Sequence, residues 1–140
     1  MDDVQRKRLE ELLKAKADKQ AKQDEADQLR QLEEEELSVK LEQELGGPRG
    51  DAFEVINNRF GGVFAIKRPD VQAIRNWEKA DEKKKVNTEW QIGLMRHYIA
   101  PAEKQIAWAQ VCADRPAVCW QTAEAFVTLM GIDRRQLDSK

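Results

Sequence analysis

"AFEVINNRFGGVFAIKRP", residues 52–69, is where the periodicity of this chain changes from that of a helix to that of a strand. Phe53 and Val55 alternate with Glu54, and Val63 to Ile66 are mostly β-branched or aromatic. Between them Asn57-Asn58 and Gly61-Gly62 supply turn chemistry, since Asn hydrogen-bonds its own backbone and Gly accepts positive φ. The stretch predicts two strands joined as a hairpin. A lone hairpin is marginal in water, so its apolar face is expected to pack on the helices that follow.

On its N-terminal side, "LGGPRGD", 45–51, separates the hairpin from a different kind of chain. Residues 1–45 contain no Gly and no Pro and consist mostly of Leu, Lys, Glu, Gln, Arg, Ala and Asp, of which all but Asp are strong helix formers. A long helix is predicted, stopped by the two glycines and by Pro48. Leu9, Leu12 and Leu13 open an apolar stripe, and Leu29, Leu32, Leu37, Leu41 and Leu45 close one. From Lys14 to Gln28 the only apolar residues are alanines, which interrupts the run of large side chains a two-stranded coiled coil needs. The expectation is a solvated helix with two sticky ends. Glu33 to Glu36 is a solvated charge run, because four consecutive helical carboxylates diverge rather than converge on a metal. Gly-Gly-Pro-Arg-Gly lacks the spaced glycines and the following Lys-Ser/Thr of a phosphate-binding loop.

Beyond the hairpin the pattern is helical to the end. "RPDVQAIRNWEKADEKKK" starts a helix with Asp70 as N-cap and Val71, Ile74 and Trp77 on one face. Lys83, Lys84 and Lys85 suit its C-terminal dipole end and need no nucleic acid to explain them. A further helix begins near Asn87 or Thr88 with Trp90, Leu94 and Tyr98 in line, widened by Ile92 and Met95. "YIAPAEKQIAWAQVCADRP", 98–116, places Pro101 at a helix start and Pro116 after its end, with Ile106, Ala109 and Cys112 inward, flanked by Trp108 and Val111. The last helix, 117–130, aligns Cys119, Ala123, Phe126 and Met130, with Val118 and Leu129 beside them, and Gly131 closes it. The pair forms a helical hairpin turning at Asp114-Arg115-Pro116.

The fold class is therefore mainly α: a long N-terminal helix, a short β-hairpin, then a compact bundle of about three to four helices. The expected division is a charged helical arm (1–46), a linker (47–51) and a small α+β domain (52–140) ending in the helical hairpin.

Charge follows that division. The 140 residues carry 24 basic and 26 acidic side chains, a formal net charge of -2, which favours neither nucleic acid nor an anionic membrane. Residues 1–46 hold 14 acidic and 9 basic side chains, whereas 47–140 hold 12 acidic and 15 basic. No signal-peptide core and no run of roughly 18 apolar residues is present, so the expected compartment is the cytoplasm. Cys112 and Cys119, with no Cys or His at zinc-ligand spacing, read as small core residues, and His97, the single histidine, as a packing or surface residue. No catalytic motif is present, which argues against an enzyme and calls for neither metal nor cofactor. Four tryptophans, Trp77, Trp90, Trp108 and Trp120, lie in or beside helical stripes, where they serve a core or an interface.

In the order of its pieces, residues 50–131 resemble the tail assembly chaperones of long-tailed bacteriophages and related gene-transfer particles. "GDAFEVINNRFGGVFAIKRPDVQAIRNW" is similar to that family's short strand pair running into Arg-Pro-Asp and a helix. "YIAPAEKQIAWAQVCADRP" is similar to its aromatic-hydrophobic-x-Pro helix opening, and "AVCWQTAEAFVTLMG" to its final Ala-rich helix closing on Leu-x-Gly. The matching positions are Pro69, Asp70, Pro101, Pro116, Phe126, Leu129 and Gly131. The arm 1–46 has no specific counterpart there. The resemblance implies a non-enzymatic protein, often made in a short and a frameshift-extended form, that coats hydrophobic segments of a tape measure protein and helps recruit tail tube subunits.

On this reading Trp108, Trp120, Phe126, Leu129 and Met130 are the expected partner-binding residues, presenting more apolar surface than folding hides, and a homo-oligomer is allowed. Two alternatives stand beside it: a structural or scaffold subunit that oligomerises through its N-terminal helix, and, ranked last, an adaptor contacting nucleic acid through Lys83 to Lys85.

Overall fold

The computed structural model describes residues 2–131. Helix α1 runs unbroken from Asp3 to Leu45, ~65 Å at 1.5 Å per residue. Asp2 opens it with a capping box: its carboxylate accepts from Gln5 N, and the Gln5 side chain accepts from Asp2 N. Gly46 closes it in the left-handed region (φ 66°), its N–H returning to Glu42 O at 3.0 Å. Residues 3–22 are exposed all round. From Gln23 onward one face, Gln23, Asp27, Arg30, Glu34, Leu37 and Leu41, turns away from solvent at alternating steps of four and three.

That face lies on a three-stranded antiparallel sheet of order β1-β2-β3, with β1 Phe53–Asn58, β2 Gly62–Lys67 and β3 Ile99–Ala100. β1 and β2 form the expected hairpin in register Phe53↔Lys67 to Asn58↔Gly62. Asn58 Oδ1 makes its turn, accepting from Phe60 N (2.8 Å) and Gly61 N (3.1 Å). Alternation then sorts the side chains onto two faces. Phe53, Val55, Val63, Ala65 and Ala100 pack with Leu41, while Ile56, Phe64 and Ile66 pack with the C-terminal helices.

The expected packing of the hairpin on the following helices is thus half of what is found, because the preceding helix covers the other face. This also corrects the division at residue 46: α1 past Gln23 belongs to the globular unit, and only residues 3–22 are an arm. The portion of the 52–140 domain beyond Gly131 lies outside the described residues.

On the far side of the sheet, α2 (Val71–Lys79) is capped by Asp70, whose carboxylate accepts from Ala73 N at 2.9 Å. The helix stops at Ala80, in extended conformation, because Asp81 caps a separate turn, α3 (Glu82–Lys85), by accepting from Lys84 N. α4 (Thr88–Met95) follows Asn87 as N-cap and runs through a 3₁₀ turn (Arg96–Tyr98) into β3. A second 3₁₀ turn, Ala102–Lys104, precedes α5 (Gln105–Asp114), so Pro101 opens that turn rather than the helix itself. α6 (Pro116–Leu129) has Pro116 in its first turn, and Gly131 (φ 72°) lies beyond its end.

The helical faces differ from expectation at three places. Val71 is exposed, and α2 buries Ala73 with Ile74 and Trp77 half-buried. α4 turns Gln91 and Met95 inward, leaving Trp90 and Leu94 half-buried. Ile106 is exposed, since α5 buries Trp108 and Cys112. The hairpin α5–α6 with its turn at Arg115 is as expected.

Candidate functional site

Of the five residues expected to bind a partner, four line the core of the single chain. Trp108, Phe126, Leu129 and Met130 all belong to the cluster beneath the sheet. Phe126 is 0% exposed, its ring centroid 5.4 Å from that of Tyr98. The polar end of Trp108 is satisfied internally: Nε1 donates to Thr122 Oγ1 at 3.2 Å, and that hydroxyl donates to Val118 O at 2.8 Å. The expected docking groove on α5–α6 is therefore closed. Its physical reason is the sheet, whose second face needs the apolar surface that composition alone counted as surplus.

Trp120 is different. It sits on the outward face of α6 with Gln121 and Glu124 and is 57% exposed, which for so large an aromatic leaves most of the indole in water. Trp77 and Trp90 pair with each other (centroids 5.8 Å apart), and Lys85 Nζ lies 5.6 Å from the centre of the Trp77 ring. Cys112 and Cys119 are free, buried thiols. Hydrogen bonding to Cys119, together with burial, pushes the Cys112 thiol up. Cys119 Sγ donates to Gln91 Oε1 at 3.2 Å, which satisfies the buried amide. His97 is exposed. Among the described residues no three or more His, Cys, Asp or Glu converge as metal ligands, and no helix is long and apolar enough to cross a membrane.

A second set of exposed apolar residues lies on α1. Leu29, Leu32 and Val39 are exposed on the side opposite Leu37 and Leu41, and Leu9, Leu12 and Leu13 are exposed on the projecting arm. The stripe of leucines at 29–45 is thus two stripes, one serving the sheet and one facing solvent. Helical phase would have separated them, but only the sheet decides which is covered.

α1 is also latched to the sheet edge by polar contacts. Arg49 donates from Nη2 to Glu34 Oε1 (2.8 Å) and from Nε to Glu54 Oε1 (2.6 Å). Asn57 Nδ2 donates to Glu34 Oε2 at 3.1 Å, and Arg30 Nε to Asn57 Oδ1 at 3.0 Å, with Arg30 also paired to Asp27. The same groups blunt β1, the edge strand. Val55 N donates to Glu54, Val55 O accepts from Arg49, and Phe53 O accepts from Gly50 N. Between β1 and α6 a groove of about 480 Å³ remains, with Glu34, Glu54 and Glu124 along it.

Burial pushes the Glu34 carboxyl up, but the hydrogen bonds from Arg49 and Asn57 and the charge of Arg49 outweigh it, so the group titrates below its ordinary 4.5. A depressed carboxylate contributes stability that is present above the unfolded pKa and is lost as pH falls through the folded one. We predict that Glu34→Gln costs up to about 1 kcal/mol in urea denaturation at neutral pH, discounted for partial exposure. The difference from wild type should be largest at neutral pH and shrink steadily as pH falls below the ordinary carboxylate range and through the lowered value of the folded protein. A difference that persists in acid would show that Glu34 acts through packing rather than charge.

Comparison of the chain with protein-family models, with curated proteins and with solved structures returns no match.

Proposed function

We propose that the chain is a non-enzymatic tail assembly chaperone of a phage-type particle, which keeps apolar helical segments of a tape measure protein soluble in the host cytoplasm. What supports the reading is the work done by the residues shared with that family. Asp70 caps α2, buried Pro69 leads into it, and Pro101 turns the chain from β3 toward α5. Pro116 starts α6, Phe126 and Leu129 fill the core, and Gly131 (φ 72°) follows the helix end. The resemblance thus rests on positions that organise the fold rather than on scattered identities.

The tape measure protein, and with it a tail tube subunit, would be the partners. Of the residues expected to bind a partner, Trp120 is the one left exposed to meet an apolar helix, since a solvated indole is the kind of anchor that interfaces use. The test is titration of a labelled amphipathic apolar peptide of tape-measure type, followed by fluorescence anisotropy. Trp120→Ala is predicted to weaken binding roughly 30-fold, as for an interface hot spot. The same substitution should change urea stability by no more than about 0.5 kcal/mol, as for a surface residue. Unchanged affinity would remove α6 from the binding surface, and no binding by the wild-type chain would end the chaperone reading.

A second reading, a particle subunit that oligomerises through its N-terminal helix, is favoured by one specific observation. The arm carries three exposed leucines with nothing among the described residues to cover them.

A further inference from the structure

We propose that copies of this chain join head to tail through α1, the basic leucine-bearing arm of one copy seating on the acidic outward face of α1 in the next. The inference rests on the reading of α1 as an oligomerising element and is independent of the tape measure.

Two faces of one helix are unpartnered among the described residues. Leu9, Leu12 and Leu13 are exposed on the free arm, and Leu29, Leu32 and Val39 are exposed on the far side of the segment that the sheet holds. Leu32, Glu35, Glu36 and Val39, spaced i, i+3, i+4 and i+7, surround a shallow hollow of about 400 Å³ together with Lys40 and Gln43. Four residues at that spacing are the hole into which a facing helix inserts an apolar knob.

Charge selects the knob. Residues 6–22 carry 7 basic and 3 acidic side chains, whereas residues 24–44 carry 9 acidic and 2 basic. A leucine flanked by Arg6, Arg8 or Lys16 therefore meets a hole that carries the carboxylates of Glu35 and Glu36, while arm against arm or face against face sets like charges together. The partner that complements both ends of α1 is α1 itself.

Direction follows from phase. At 3.6 residues per turn, the centre of Leu9, Leu12 and Leu13 lies about 160° around the axis from that of Leu29, Leu32 and Val39. Two straight helices related by a two-fold axis cannot bury both faces against each other. Each junction must use the arm of one copy and the held segment of another, which is a heterologous contact and continues as a ring or a filament.

The experiment uses the full chain and two surface variants, Leu12→Asp in the arm and Leu32→Asp in the receiving face. Both positions are exposed, so each should fold, which far-UV circular dichroism checks. In analytical ultracentrifugation at low salt the wild type is expected to form species larger than a dimer. Each variant alone should remain monomeric, and an equimolar mixture should form a two-chain complex that goes no further, since it retains one intact arm and one intact face. Raising salt from ~50 to ~500 mM should move the wild-type assembly midpoint at least ~10-fold higher in concentration. A wild type that stops at a dimer, or a mixture that stays monomeric, overturns the head-to-tail arrangement while leaving oligomerisation standing. A wild type that is monomeric throughout overturns both.

Discussion

Phe126→Ala is expected to lower stability by about 3–5 kcal/mol, the cost of deleting a large aromatic from a packed core. Phe126 has no exposed surface and lies against Tyr98 among Ile56, Phe64, Ile66 and the inner residues of α5 and α6. Folding stability totals roughly 5–15 kcal/mol, so the variant would stand near the edge of folding. Its thermal midpoint should fall by roughly 10–20 °C. Phe126→Asp should not fold, because a carboxylate there would have no partner. The corresponding loss at Trp120 is small, because that ring is already in water. The pair separates core from surface on one helix, and it is read by thermal denaturation of each variant beside the wild type. Near-equal midpoints would mean that α6 is rotated from the orientation described. Binding to an apolar helix, measured at a temperature where Phe126→Ala remains folded, should be unaffected, since the side chain cannot touch a partner.

The fates of Phe126 and Trp120 also show what sequence could and could not convey. Both are apolar, both lie in the same helix, and composition counts them alike. Helical phase does place Cys119, Ala123 and Phe126 on one line, and the structure buries all three. What phase could not supply was how much apolar surface the sheet would demand. β2 is buried on both faces from Val63 to Ile66. The hairpin therefore needs two covers, and the second is α1, a helix whose sequence reads as solvated with two sticky ends. Leu37 and Leu41 suffice to hold it because Arg30, Glu34, Arg49 and Asn57 complete the contact with hydrogen bonds, and polar contacts between distant segments leave no periodic trace in a sequence.

Shorter features were illegible for a different reason. β3 has two residues, too few for alternation to register, and Ile99 there follows a helix whose apolar stripe masks it. Thr122 is fully buried though polar, because its hydroxyl is both donor and acceptor within the hairpin. Local signals fared better. Asp70, Asn87, Pro116, Gly131 and the Asn58 turn all act where their backbone chemistry places them, since a cap or a turn depends on neighbours within three or four residues.

The division of α1 into an arm and a held segment makes a prediction that a single deletion cannot. Removing residues 2–22 withdraws no buried side chain among the described residues, since that stretch is exposed throughout. Its helicity is sustained by propagation from the anchored half and by the Asp2 cap, not by packing. The shortened chain should keep its thermal midpoint within about 2 °C while losing helical signal in proportion to length. Removing residues 1–46 is another matter. It withdraws Leu41, which is 3% exposed, and opens Phe53, Val55, Val63 and Ala65 to water. Each buried apolar side chain contributes roughly 1.5–3 kcal/mol, and the several affected together approach the whole stability of a domain. It also deletes Glu34 and Arg30, so β1 loses part of the latch along its edge and offers both an apolar face and a bare edge to other chains. The expected outcome is insoluble protein, or a chain without a cooperative unfolding transition, read by differential scanning calorimetry beside the 2–22 deletion. If the chain starting at residue 47 melts cooperatively at the temperature of the full protein, α1 is an appendage over its entire length and the sheet has one structural face, not two.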